Sequence, residues 1–351
     1  MKKGYLCIAL TTIFFSTMEI ALKSMTGAFN PIQMNFTRFL LGGLVLLPLV
    51  RRTLRERGLV LTARDLIPFF GLGFIGVVVS MTLYQMAVVY TEASVVAVLF
   101  SSNPLFVMLF AYLLLGEPIF RRNIAALTLD VAGILFVVDP LHMKLSVLGV
   151  TLTLFSTLLF ALYGVAGKKQ SLRCGGAVTA CFSFLFGSAE TMLLALITHV
   201  PAVASAMTAA GLDSFSAIPF FSGYSLSVLP QFLYVCIGVT GIGFSCYFLA
   251  MEYTSANTAS LVFFFKPILA PILAMLILNE AIPVHRWIGI ALILAGSLTN
   301  ILPPLLAARR AQSVLEVQEV LEVRDVQGVQ EVQEVREVQD VQDVQSSGDS
   351  F

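Results

Sequence analysis

Apolar stretches of about 20 residues recur along the chain, near 4–23, 32–50, 66–89, 94–115, 123–139, 147–167, 177–198, 228–250, 257–278 and 286–303. A helix of about 20 apolar residues crosses a hydrocarbon core of about 30 Å. Strict polar–apolar alternation, the mark of barrel strands, is missing, so the stretches predict ten transmembrane helices in an all-α integral membrane protein. Composition agrees, with 58% hydrophobic and 12% charged residues and a mean hydropathy of +0.90.

The formal net charge of zero hides two populations. Ten acidic and two basic residues follow residue 311, which leaves 19 Lys and Arg against 11 Asp and Glu before it, a charge of +8. With a cytoplasmic N-terminus and ten spans, 14 of the basic residues fall on the cytoplasmic side, among them Arg51, Arg52, Arg55, Arg57, Lys168 and Lys169. Only Lys23, Lys144 and Arg286 fall outside. That asymmetry predicts both termini in the cytoplasm and an inner-membrane, multi-pass location. Glu19 interrupts the first apolar stretch and no small-x-small site follows it, which disfavours a cleaved signal peptide. Cys7, Cys181, Cys236 and Cys246 lie inside predicted helices and read as packing residues.

Residues 83–136 align without a gap to 246–299 at an offset of 163, matching Tyr84, Ala87, Tyr90, Thr91, Phe100, Pro104, Glu117, Gly133 and others to identical residues. A looser match at an offset of 145 pairs Phe15 with Phe160, Lys23 with Lys168, Phe39 with Phe184 and Gly42 with Gly187. The offsets differ because of a Ser/Ala/Phe-rich insertion near 200–226, read as an outer loop. The chain therefore reads as two five-helix repeats, 1–140 and 141–306, followed by an acidic, low-complexity cytoplasmic tail, 307–351. Five is odd, so the second repeat enters the membrane from the opposite side. Inverted repeats around a midplane site are the architecture of secondary transporters.

The motifs also resemble the drug/metabolite transporter superfamily, and within it the ten-helix members with two EamA domains. "NFTRFLLGG" (35–43) is similar to that family's second helix, and "YQMAVVYTEAS" (84–94) and "YFLAMEYTSAN" (247–257) to its third-to-fourth-helix junctions. "LLLGEPI" (113–119) and "LILNEAI" (276–282) resemble its helix ends, and "RWIGIALILAGSL" (286–298) its last helix. Asn279 stands where the family usually has Gly, and "FFST" (14–17) lacks its frequent Trp-Gly. The resemblance implies movement of small metabolites across a bacterial inner membrane, driven by an ion gradient or by exchange, without a nucleotide-binding domain.

Charges inside spans are costly, about 2.5–3.5 kcal/mol at the bilayer centre, and tend to mark sites. Lys266, inside "LVFFFKPILAPILAML", is the leading candidate, expected to face Glu190, Glu19 or an anionic group on the substrate. Its repeat counterpart is Asn103, and each precedes a proline, Pro104 or Pro267, that cannot donate to the carbonyl four residues back and so opens its helix. Glu190 is expected either to carry a proton or to pair with Lys266. Glu19 and Lys23, four apart on one face, read either as a local ion pair near the outer interface with Lys23 snorkelling, or with Glu19 in a cavity role. Arg38 pairs with Glu19 or a helix-end carbonyl, or contacts substrate. The repeated Tyr84 and Tyr247 complete the candidate set. Asp130 pairs with an arginine or faces a helix seam. Glu117 and Glu280 are expected to cap the helix that follows each, or to meet a loop cation.

"GLGFIG" (71–76) satisfies a dinucleotide pattern but lies in a span, where glycines for helix packing explain it better. His142, His199 and His285 lack metal-ligand spacing, and no cofactor, metal or nucleic-acid partner is predicted. The sequon "NFT" (35–37) falls within a span. Valine at every third position from Val314 to Val344 builds no apolar face on either helix or strand, so the tail is expected to be disordered. The predicted function is a secondary transporter, with export the favoured direction, of a small and anionic metabolite by alternating access, using a proton or counter-substrate. The alternative is a membrane-embedded enzyme or carrier acting on lipid-linked substrates; the oligomeric state, a homodimer included, is left open.

Overall fold

A computed structural model describes residues 2–116, 121–138, 146–260, 262–296 and 298–299. Helices account for nearly all of them, and there is no strand among the described residues. In chain order they are α1 (Lys2–Ser24), α2 (Pro31–Glu56), α3 (Ala63–Tyr90), α4 (Ala93–Phe100), α5 (Asn103–Leu115), α6 (Arg121–Val138) and α7 (Val147–Cys174). Then come α8 (Gly176–Ile197), α9 (Pro201–Ala209), α10 (Leu229–Tyr253), α11 (Ala256–Ala259), α12 (Val262–Leu278) and α13 (Val284–Gly296). Among the described residues seven stretches are long and apolar enough to cross a membrane, with α4 and α5 counted as one. Three shorter apolar helices, Ile124–Val137, Lys266–Leu278 and Val284–Gly296, fall in the remaining expected intervals.

Local chemistry sets the boundaries. Asn30 opens α2, its Oδ1 accepting from the backbone of Ile32 and Gln33 at 2.9 and 3.3 Å, with Pro31 at the first helical position. Gly116 ends α5 with φ of 68°, a conformation that a side chain disfavours. The insertion read as a loop is partly helical, since α9 lies in it. It returns over the start of α2, where Gln33 Nε2 donates to the carbonyls of Phe220 and Ser222 at 3.2 and 2.9 Å.

Tight helix crossings recur at the offsets seen in the sequence. A Cβ on Gly42 would stand 2.9 Å from Thr240, and one on Gly187 2.5 Å from Val77, the counterpart of Thr240. Likewise Gly133 meets Ile293 at 2.6 Å, and Gly296 meets Asp130, the counterpart of Ile293, at 2.5 Å. Asp130 thus faces a helix seam and has no arginine partner among the described residues. Within "GLGFIG", Gly73 lies against the backbone of Gly187 and Gly76 against the Tyr163 ring, while Gly71 touches nothing.

Both third helices of the two halves widen at matching places, into π-turns at Phe74–Met81 and Tyr234–Gly243. A π-turn frees a carbonyl from the regular ladder, and such turns gather at functional sites. Asn35, fully buried, donates to one such carbonyl, Val77, at 2.9 Å, and to Thr82 Oγ1 at 3.1 Å.

Candidate functional site

At the centre of the bundle α1 and α12 bring Glu19 and Lys266 into an ion pair, both side chains fully buried. The Tyr84 hydroxyl lies beside the Glu19 carboxylate. Around the ammonium stand the rings of Phe100 at 4.7 Å, Tyr84 at 5.8 Å and Phe263 at 6.0 Å from Nζ, a cation–π environment that offsets part of the cost of burial. Phe15, Phe160, Phe244 and Tyr247 extend this aromatic cluster, with Phe15 and Phe244 centroids 4.8 Å apart and Phe160 and Tyr247 5.6 Å apart.

Lys266 therefore takes Glu19 and not Glu190. Glu190, on α8, is 8% exposed and both of its oxygens lack a hydrogen-bond partner. Glu19 does not pair with Lys23 either. That lysine sits at the end of α1 and donates to the carbonyls of Val88 and Thr91, both at 2.8 Å, closing the last turn of α3.

Arg38 on α2 is fully buried and meets no carboxylate at ion-pair distance among the described residues, so of its alternatives the pairing with Glu19 is not formed. Its Nη2 reaches Asn35 Oδ1 at 3.4 Å, its Nη1 reaches Met18 Sδ at 3.6 Å, and Nε has no partner. Glu19 and Tyr84 lie within electrostatic reach. Of the two repeated tyrosines, Tyr84 is buried beside Glu19, and Tyr247 Oη is buried without a partner among the described residues.

The prolines do not open their helices in the same way. In the first half the break falls at Ser101–Ser102, ahead of Asn103, and the serine hydroxyls satisfy the carbonyls of Ala97 and Leu99 at 2.7 and 2.6 Å. Pro104 then occupies the first turn of α5, where no hydrogen bond is lost. Pro267 lies inside α12 together with Pro271. Asn103, fully buried, donates to the carbonyl of Thr157 at 3.2 Å, and its Oδ1 is unpaired.

The cluster combines a repeated frame with unrepeated charges. Tyr84 packs on Phe100 at 5.0 Å, and their counterparts Tyr247 and Phe263 at 6.0 Å; Phe100 meets Phe160 at 5.3 Å, and Phe263 meets Phe15 at 6.2 Å. By contrast Glu19, Arg38 and Lys266 correspond to Gly164, Ser183 and Asn103. Sequence reasoning found the charged residues singly but missed the phenylalanines, although Phe15 and Phe160 appear among the repeated positions.

Each end of the bundle carries its own polar network. At one, Glu280 accepts from the backbone of Ala93 and Ser94 at 2.8 and 3.0 Å and from Ser94 Oγ at 2.6 Å, and Arg286 pairs with Glu92. Glu280 thus caps α4, far away in the sequence, and not the helix that follows it; Glu117 lies outside the described residues. At the other end Arg57 pairs with Glu252, and Arg173 with Asp65. Among the described residues no cluster of His, Cys, Asp and Glu is suited to a metal.

Two copies of one family model cover the chain, the EamA-like transporter family matching at residues 2–139 and 147–302. The chain belongs to this family. It is similar to an uncharacterized transporter of Clostridium kluyveri, 36% identical over 308 residues that cover 86% of this chain and 93% of that protein. An uncharacterized transporter of Archaeoglobus fulgidus is 22% identical over 84% of this chain and 97% of its own length. The pseudopaline exporter CntI of Pseudomonas aeruginosa is 26% identical over 51% of this chain and 57% of its own. A solved crystal structure shares the fold, with a TM-score of 0.61 over 86% of this chain and 98% of its own, at 20% identity. The protein is a multi-pass membrane transporter, not an enzyme.

Proposed function

We propose that this transporter moves a small metabolite bearing a carboxylate or phosphate across a bacterial inner membrane by alternating access. Its frame is ten helices in two inverted five-helix repeats, with both termini in the cytoplasm. The observation that carries this reading is the buried Glu19–Lys266 pair within an aromatic cluster drawn from both halves. A buried ion pair gives little stability for its desolvation cost. It serves better as a pair that opens, with Lys266 passing from Glu19 to the anionic group of the substrate. The matching glycine crossings and π-turns of the two halves support the inverted-repeat frame. The exporter name of the Pseudomonas relative favours the outward direction. A proton or a counter-substrate supplies the drive, and the unpartnered carboxyl of Glu190 is where a proton would reside.

Comparing the metabolites released by cells with the protein, without it, and with Lys266→Met tests this reading. An anionic metabolite should accumulate in the medium only with the wild type, at matched membrane levels. Equal release from Lys266→Met would make the pair structural.

A further inference from the structure

We propose that Arg38 is the anchor for an oxyanion of the transported metabolite, a group that the empty protein leaves without a counter-ion. The inference rests on the transport reading above and adds the residue that selects for charge.

Arg38 is 0% exposed and stands in the middle of the bundle with weak company. From its own helix it has Asn35 at 3.4 Å and the face of Phe39, 4.6 Å from the guanidinium carbon. From α1 it has the Met18 sulfur, with Glu19 nearby; Tyr84 faces it from α3 and Cys236 from α10. Among these only Glu19 is a carboxylate, and it is committed to Lys266. Glu19, Lys266 and Arg38 together sum to +1, and that surplus sits on Arg38. A cation–π contact offsets only a small part of the cost of a buried charge without a partner.

The fold itself does not call for a cation here. At the corresponding place in the second half stands Ser183, whose hydroxyl is satisfied by Tyr163 Oη at 2.8 Å and by the carbonyl of Ala180 at 3.0 Å. A guanidinium presents its N–H groups in a planar fork that matches a carboxylate or phosphate. With Nε unpartnered and the Nη groups held only by Asn35 Oδ1 at 3.4 Å and Met18 Sδ at 3.6 Å, the fork keeps donors that a ligand oxyanion could take. A bound oxyanion would bring the site to neutrality, so the loaded carrier occludes more easily than the empty one.

Removing the charge should therefore stabilise the empty protein while destroying anion recognition, the opposite of what a structural arginine would do. The full chain in phosphatidylcholine nanodiscs is unfolded by heat, as wild type, Arg38→Met and Arg38→Gln, in buffer free of oxyanions and with 10 mM succinate or inorganic phosphate as probes. Arg38→Met should unfold about 3 °C above the wild type in anion-free buffer. At least one probe should raise the wild-type midpoint by a similar amount and leave both variants unmoved, and which probe does so separates a carboxylate from a phosphate ligand. A lower midpoint for both variants, or failure of both to fold, would make the guanidinium structural and overturn the proposal. So would equal anion shifts in wild type and variants, or no shift in the wild type with either probe. Loss of release in Lys266→Met alongside any of these results leaves the transport reading standing and removes only the role of Arg38.

Discussion

The end of the bundle around Glu280 and its centre around Glu19 both bury charge, but they neutralise it differently. At the end, charges are spent on backbone: Glu280 takes the free N–H groups at the start of α4, and Lys23 takes the free carbonyls at the end of α3. Helix termini leave such groups unsatisfied in every helix, so each contact has an obvious structural return. In the centre Glu19 and Lys266 pair with each other and complete no helix end, and Arg38 forms no ion pair among the described residues. Charges that complete a helix end hold the fold, whereas charges that the fold does not need are available to a ligand.

Breaking the end should cost the most stability. Glu280→Ala removes three hydrogen bonds to a carboxylate, and each such bond is worth about 1.5–3 kcal/mol. A fall of about 3 kcal/mol or more in unfolding free energy is expected in detergent, with Glu280→Gln recovering part of it. A smaller effect comes from Gly187→Ala, whose methyl would lie 2.5 Å from Val77 Cβ and 2.7 Å from the carbonyl of Gly73, and overpacking of this kind costs about 1–3 kcal/mol. Lys23→Met should cost least, about 1 kcal/mol, because the carbonyls it leaves are only part-buried. None of these three should change which metabolite is released, a point checked by comparing release profiles at matched protein levels. Altered selectivity in Glu280→Ala would erase the contrast between end and centre.

How far the sequence could be read follows the same division. The apolar intervals, the repeated positions and the resemblance were legible because periodicity and length depend on chemistry that is local in the chain. Lys266 was legible as an anomaly for the same reason. Its partner was not, since Glu19 and Glu190 are equally plausible carboxylates until helix packing chooses between them. The partner of Glu280 was also hidden: the helix it caps lies about 187 residues away, and only the crossing of the two halves brings them together. The two π-turns left no mark at all in the apolar pattern, and Asn35, which satisfies one of them, was read only as part of a sequon within a span. Pro104 shows the reverse error, a proline that looked like the cause of a break and in fact follows it.

The most direct test of the central claim is the double variant Glu19→Gln/Lys266→Met, assayed for both unfolding temperature and metabolite release beside the two single variants. Glu19→Gln leaves Lys266 and Arg38 as two buried cations without a counter-ion and should destabilise by about 3–5 kcal/mol, Lys266→Met leaves Glu19 to the nearby Arg38 and should cost less, and removing both charges together should restore stability to near the wild type. The account predicts that this stable, correctly inserted double variant releases no metabolite above the level of cells lacking the protein. Release at the wild-type rate from a double variant of restored stability would contradict it, and would make Glu19 and Lys266 a structural pair.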